Sequence, residues 1–386
     1  MTLGYEDITR IGVALVALPG LMLLLMPRRP PTVRVVRDAE PERLAPEERG
    51  AVEVRFTNVG RRTSVYLAEE HLDYQLGDRP RFILPRMEQG EERRLRYPVH
   101  SRHRGAYMLG PVLLRQRDPF GLTFRTLQLS SRSEVLVLPR VYALGTDRVR
   151  GSSRGSEGEM PQMVALHGED DVSIRSYRDG DELRRVHWPA TAHRGELMVR
   201  QEDRPARRRA LLLLDSRASA HHGTGSASSY EWAVSAIASV ARHLVANGFV
   251  VHLLTDASLR DGTAAHAVDI DSVLDALARV QPEDDARLDR LAGAASPFTA
   301  GGVLLIGAVV AHDEEALRTL AAVRQPGSRA LAFVLDPARF GGPETDPAAP
   351  GVLADAGWRT VSCGPHTEVP QAWVGLRAGS TAGSAR

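Results

Sequence analysis

The spacing of apolar residues changes along this chain and divides it. Ile11–Met26, IGVALVALPGLMLLLM, is uncharged and has no polar face. It is slightly shorter than the ~20 residues of a bilayer-crossing helix. Lipid tolerates its Pro19-Gly20 pair better than an isolated soluble helix would. From Thr32 to Pro139 the period becomes two. Val52, Val54 and Phe56 alternate with Glu53, Arg55 and Thr57, and Leu95, Tyr97 and Val99 repeat the pattern, as in strands with one wet face. Val135–Leu138 adds a short apolar run, and Asn58-Val59-Gly60, Leu76-Gly77-Asp78 and Asp118-Pro119-Phe120-Gly121 supply turns. Short strands at this spacing predict a small β-sandwich.

The period disappears over Gly151–Met163, a Ser/Gly/Glu/Met stretch that reads as a mobile link. It returns as an alternation of two kinds. Ala210–Asp215 is a nearly continuous apolar run, the pattern of a parallel strand covered on both faces. Ser228-Ser229-Tyr230-Glu231 is a capping-box start. Ala233, Ile237, Val240 and Leu244 follow at helical spacing, and Gly248 is placed to end the helix. Phe249–Leu254, Gly302–Ile306 and Ala330–Leu335 read as further strands. Val273, Leu274, Leu277 and Val280, then Leu317, Leu320 and Val323, read as helices between them. The expected fold class is α/β: a mostly parallel sheet with helices on both faces, preceded by the sandwich and the N-terminal membrane segment. The domains are a membrane anchor over 1–30, a β-sandwich over 31–140, a charged connector over 141–206 and the α/β domain over 207–386.

Charge sharpens this picture. The chain of 386 residues carries 49 Lys+Arg against 48 Asp+Glu, a formal charge of +1, so it has no field to draw in nucleic acid. Arg28, Arg29, Arg34 and Arg37 follow the apolar run, whereas Glu6, Asp7 and Arg10 precede it. That asymmetry puts the body on the cytoplasmic side of a cell membrane. A cleaved signal peptide would carry its basic residues before the apolar run and small residues after it. The lone Cys363 forms no intrachain disulfide and reads as a spectator.

Val172–Arg200 concentrates charge around one Trp and two His. Asp179-Gly180-Asp181 is a turn signal. Arg175, Arg178, Arg184 and Arg185 can form forked pairs with Asp179, Asp181, Glu182 or Glu196. Trp188 offers a face to bury against a sheet or to receive a guanidinium. An internal polar clamp and a ligand surface are both open readings, and the clamp is favoured. At the strand end, Asp215 and Ser219 supply the hard oxygens that Mg²⁺ accepts, but Arg217 between them repels a cation. Arg217 can instead pair with Asp215, or the loop can be ordinary strand-end polarity; Thr255 and Asp256 occupy a similar end. His221-His222 reads as a solvated loop pair and not as zinc ligands. GxxxxGK[ST], GxGxxG and HExxH are absent from the sequence.

The string Tyr177, Gly180, Asp181, Arg184, Trp188, Ala192, Gly195-Glu196-Leu197 and Arg200 resembles a bacterial family, the domain of unknown function 58. Gly110-Pro111 and Asp118-Pro119-Phe120-Gly121-Leu122 resemble its sandwich segment, and Asp7–Gly12 the second half of the membrane hairpin of actinobacterial members. The resemblance implies a von Willebrand factor A-like α/β domain, with Asp215, Arg217 and Ser219 as a degenerate metal loop in which Arg217 replaces the middle Ser. The loop's last Asp has no clear place, since the strand from Gly302 is expected to end at Gly307-Ala308. Members start with two membrane helices and this sequence has room for one; Ala192-His193 stands where many carry Ala-Arg. The resemblance also implies a MoxR-like AAA ATPase as protein partner. The expected function is a non-enzymatic, membrane-anchored scaffold or assembly factor for a membrane or envelope complex, without cofactor. Its alternative is a metal-dependent hydrolase acting on an anionic substrate through Asp215, Ser219 and the connector arginines. A clamp or binding role would fall to Arg175, Tyr177, Asp179, Gly180, Asp181, Arg184, Trp188, Arg194 and Glu196.

Overall fold

The computed structural model describes residues 5–26, 28, 31–145, 173–177, 186, 188–201, 208–299, 303–325, 328–344 and 348–378. They form two compact units. The first comprises Met1–Arg140 with Asp271–Gln281, the second Val141–Ile270 with Pro282–Arg386. The expected link over 151–163 lies outside the described residues.

The first unit opens with a helix over Tyr5–Leu25, longer than the uncharged run and continuous through Pro19. It has no buried residue and is long and apolar enough to cross a membrane. The strands that follow lie in three sheets. Val33–Glu40, Arg49–Asn58 and Glu92–His100 are antiparallel neighbours. Arg81–Leu84, Tyr66–Glu70, Val112–Arg117 and Phe124–Leu129 form a second antiparallel sheet in that order. Gly105–Leu109, Ser133–Val137 and Arg43–Leu44 form the third. The alternation seen in sequence puts Val52, Val54 and Phe56 inward, into one core shared with Leu44, Leu114 and Val135 of the other sheets. A buried ion pair crosses this unit, Arg37 Nε to Glu70 Oε1 at 2.9 Å. Residues 271–281, read in sequence among the α/β helices, cluster here. Arg104 Nη1 donates to the carbonyls of Leu277 (2.8 Å) and Val280 (2.8 Å) at the end of their helix, where helix carbonyls lack intrahelical partners.

The second unit is built on five parallel strands, β1 (Arg209–Leu214), β2 (Val250–Leu254), β3 (Leu304–Val310), β4 (Ala330–Leu335) and β5 (Arg359–Cys363), in the order β2-β1-β3-β4-β5. β1, β3 and β4 are buried almost throughout, which is the reason they read as apolar runs. The helix α1 (Ser229–Ala246) lies on one face together with the C-terminal α5 (Val369–Ala378). There Trp232 meets Phe333 edge-on with ring centres 5.5 Å apart. On the other face α3 (Leu288–Ala295) and α4 (Glu314–Ala321) pack Leu291, Leu317 and Leu320 against Leu211, Leu213 and Val309. The short α2 (Asp256–Arg260) follows β2 directly. β3 runs on past Ile306 through Gly307-Ala308 to Val310, where the sequence reading stopped it short. Gly307 lies inside the strand opposite Leu213, and the nearest atoms to a Cβ there would sit at ordinary contact, so the glycine breaks nothing. Cys363 is fully buried, which pushes its thiol well up and keeps it neutral.

The strand order reverses on either side of β1, with β2 to one side and β3 to the other. Such a switch opens a crevice at the carboxyl ends of the two strands, the usual ligand position in open α/β sheets.

Candidate functional site

After Leu214 the chain turns across that crevice as Asp215-Ser216-Arg217-Ala218-Ser219. Arg217 folds back on Asp215 as a fork, Nε to Oδ1 at 2.9 Å and Nη2 to Oδ2 at 2.8 Å. The Arg217 amide also donates to Oδ1 (3.2 Å), and the Val310 amide at the end of β3 donates to Oδ2 (3.1 Å). The lone pairs of both oxygens are thereby used. Asp215 is 1% exposed and Arg217 7%. Burial alone would raise the Asp215 carboxyl, but Arg217's charge and hydrogen bonds, aided by His221, hold it below the ordinary range. Burial likewise opposes the Arg217 charge, and Asp215 outweighs it. Of the three arrangements open in sequence, the loop has the ion pair. Ser219 is exposed and takes no part in it.

His221 is not a solvated loop residue. Its Nε2 lies 2.8 Å from the Asp215 carbonyl and its Nδ1 2.9 Å from Ser229 Oγ, which itself accepts from the His222 amide at 3.0 Å. Both contacts are satisfied by one neutral tautomer, with Nε2–H donating to the carbonyl and Nδ1 accepting from the hydroxyl. Burial, as the largest influence, lowers the His221 pKa. A serine hydroxyl on an imidazole is also the geometry of an activated nucleophile. Here Ser229 is 1% exposed in the first turn of α1, and the imidazole's other partner is a carbonyl. The trio ties the β1 loop to α1 and offers no reachable nucleophile.

Sequence reasoning missed Asp313 and Glu283, which with Asp256 complete this end of the sheet. Asp313, just beyond β3, caps α4 by accepting from the amides of Glu315 (3.0 Å) and Ala316 (3.2 Å), and its charge reaches Arg217. The signal was present as an Asp before Glu314-Glu315, hidden by the early end assigned to β3. Glu283 stitches the loop through its backbone, its amide donating to the Ser216 carbonyl (2.8 Å) and its carbonyl accepting from Ala218 (3.0 Å). Its carboxylate pairs with Arg260. Asp256 is 3% exposed, and its Oδ1 has no hydrogen-bond partner. Burial chiefly, with the charges of Glu283 and Asp215, pushes its carboxyl up. Among the described residues no group of three or more His, Cys, Asp or Glu is arranged to hold a metal ion.

The connector's described part is a strand pair, Ser173–Ser176 against Met198–Gln201, with a short helix over Trp188–Arg194 between them. Gly195, at φ +75°, ends that helix in a left-handed turn. Val186, Met198 and Val199 are its buried layer. Trp188, expected to bury its ring, is 68% exposed. It is the first residue of that helix. Arg194 and Glu196 are exposed and Tyr177 is half-buried. Arg175 belongs to the first strand; Asp179, Gly180, Asp181 and Arg184 lie outside the described residues. Trp188→Ala is accordingly expected to change stability by no more than about 0.5 kcal/mol, as for other surface sites. Thermal unfolding of the full chain in detergent checks this, and a fall of several degrees would return the ring to a core.

Residues 173–322 match the family model described as protein of unknown function DUF58. The DUF58 match begins at the first connector strand and ends just past α4. It thus includes the connector from Ser173 onward, β1 to β3, the Asp215–Arg217 pair and Asp313. No curated protein matches the chain significantly. Among solved structures, an alkylpurine DNA glycosylase, AlkC, of Pseudomonas fluorescens overlaps at 14% identity over 34% of this chain and 40% of its own, with a TM-score of 0.19. Spo0M, a sporulation control protein from Bacillus subtilis, overlaps at 12% identity over 28% and 49%, with a TM-score of 0.16. The chain spans less than half the length of either. Overlaps at such scores carry no argument about fold or function.

Proposed function

We propose that this protein is a non-enzymatic, membrane-anchored scaffold or assembly factor with its body on the cytoplasmic side. The observation that carries the non-enzymatic reading is the fork from Arg217 to Asp215, which engages both oxygens of the carboxylate that a metal ion would need. A cation there would have to displace a guanidinium that never loses its charge. The alternative, a metal-dependent hydrolase, needs that carboxylate open to ion and substrate. A von Willebrand factor A-like ancestry fits the parallel sheet and the position of Asp215, with a metal loop turned into an internal ion pair. Calorimetric titration with Mg²⁺ or Mn²⁺ is expected to give no tight binding to the unmodified chain, whereas Arg217→Ser removes the repelling charge and restores Asp-x-Ser-x-Ser. Micromolar binding by the unmodified protein would contradict the reading.

The anchor is supported by the Tyr5–Leu25 helix, and its orientation by the exposed Arg28 and Arg34 that follow it. Arg37 is spent in the buried pair with Glu70 and adds nothing to that bias. Cell fractionation tests the anchor: the full chain is expected to stay with membranes until detergent is added, and wholly soluble protein would end the proposal. The DUF58 resemblance points to a MoxR-like AAA ATPase as partner, and the exposed Trp188, Arg194 and Glu196 offer a contact surface of the aromatic-plus-Arg kind common at interfaces. A tagged pull-down from membranes is expected to capture such an ATPase, and Trp188→Ala to weaken the capture.

A further inference from the structure

We propose that the turn after Val112–Arg117, together with Phe124 at the start of the next strand, is a membrane-inserting wedge: Phe120, Leu122 and Phe124 enter the headgroup–acyl boundary beside the N-terminal helix, and Arg115 and Arg117 meet lipid phosphates. The inference rests on the membrane-anchored reading above.

Three large apolar side chains stand in the open within five residues of sequence, Phe120 at 65%, Leu122 at 52% and Phe124 at 56% exposure. They are not a loose loop. Asp118 accepts from the Phe120 amide (2.8 Å), from the Thr123 amide and from the Thr123 hydroxyl (3.0 Å), and Gly121 takes the left-handed conformation (φ +71°) that the turn needs. The structure therefore fixes these groups outward.

The turn's place in the unit names the partner. Arg125 donates from Nη2 to the Leu23 carbonyl (2.8 Å) and from Nη1 to the Met26 carbonyl (3.3 Å), and Thr123 Oγ1 lies 3.8 Å from Met26 Sδ. These groups cap the C-terminal end of the helix. At 21 residues the helix is about 31 Å long, enough to reach across a bilayer's ~30 Å hydrocarbon core with the charged Glu6, Asp7 and Arg10 of its first turns toward the far headgroups. Its end, and with it the turn, lies at the lipid–water boundary, where aromatic residues concentrate.

The charges around the turn suit the same surface. Arg117 is paired in register with Phe124, and the Arg115 guanidinium stacks 4.8 Å from the Phe124 ring centre. Both arginines are exposed. An arginine over an aromatic face can keep its stem among apolar groups and its head among phosphates. In register with Arg115 stands Leu67, then Ile83, both exposed, so the apolar and basic face continues across the sheet. A water-facing surface has no use for this combination.

The test uses the full chain in vesicles of phosphatidylcholine and phosphatidylglycerol, with an environment-sensitive fluorophore on Leu122→Cys. Cys363 is fully buried and its thiol is held protonated, so labelling is confined to the new cysteine. Gln128→Cys, exposed further along the same strand, is the reference, and Phe120→Cys is a second reporter should the first fold poorly. Flotation of the same samples reports the anchor. The expected result is a blue-shifted label at Leu122, quenched severalfold more by lipids with brominated chains than the label at Gln128. Protein that floats with the vesicles but shows equal quenching at both positions overturns the wedge, leaves the anchor standing and gives the face to a protein partner. Protein that does not float overturns both.

Discussion

Arg217→Ala is expected to destabilise the second unit by about 3–5 kcal/mol, the cost of leaving a buried carboxylate without its partner. Asp215 would keep the Val310 amide, but its fork of donors would be gone. Replacing both residues, Asp215→Leu with Arg217→Met, should cost much less, because no charge remains to be buried. The four tryptophans all lie in the second unit, and Trp232, Trp358 and Trp373 are buried, so tryptophan fluorescence during unfolding reads this change directly. Equal loss in the single and double variants would mean that the pair contributes packing and not charge compensation.

The same network fixes a pH dependence. His221 has a lowered pKa in the folded chain, so the unfolded chain takes up its proton first as pH falls. Stability tied to His221 is then present above the ordinary histidine value of ~6.5 and is lost as pH falls from there through the folded pKa. Asp215, also lowered, follows at lower pH: its contribution is complete above the ordinary carboxylate value of about 4 and disappears as pH drops through its folded pKa. Unfolding midpoints measured across this range should fall in two stages, and His221→Gln should shrink the first, to which His252, also lowered chiefly by burial, contributes as well. A single stage in the unmodified chain would contradict the neutral-tautomer assignment.

Much of the fold was legible because burial on both faces writes itself as continuous apolar runs. The apolar runs Ala210–Asp215 and Ala330–Leu335 match β1 and β4 to within a residue at either end. Ser228 was read as the start of α1, and its side chain does accept from the Glu231 amide. The fifth strand was not legible: Arg359–Cys363 is an edge strand buried only at Cys363, with no run and no clean alternation to betray it. Strand order is a property of crossovers between distant segments, so the switch point at β1 was invisible as well. At the site, Asp215 and Arg217 are two residues apart, and sequence spacing alone sufficed to name their pairing as one option. Choosing it required knowing that Val310 closes the other side, which depended on where β3 ends. Trp188 shows the converse failure. A tryptophan's area suggests burial, yet the connector's buried layer is Val186, Met198 and Val199, which sequence could not assign to it.

Glu70→Ala should be comparably damaging in the first unit, about 3–5 kcal/mol, for it leaves the Arg37 guanidinium buried among apolar strands. Arg37 makes a fork to both Glu70 oxygens, Nε at 2.9 Å and Nη2 at 3.4 Å, with Nη1 on Ser131 Oγ at 3.1 Å. Both side chains have no exposed area. Burial raises the Glu70 carboxyl despite Arg37, so the pair is no surplus of stability; its cost appears when one member is removed. Gly110 reports the same contact from the other side. At φ +83°, a Cβ there would come within 2.6 Å of Arg37 Nη2 and 2.5 Å of the Ser131 carbonyl. Gly110→Ala therefore both forces a left-handed non-glycine residue, at about 1–3 kcal/mol, and displaces the guanidinium. Hydrogen exchange read by mass spectrometry should show faster exchange in Val33–Glu40 and Tyr66–Glu70 for either variant. Arg37→Met with Glu70→Leu should recover most of the protection, since the site then holds no charge. Protection unchanged in Glu70→Ala would mean that Arg37 reaches water once its partner is gone, and that the pair does not lock these sheets together.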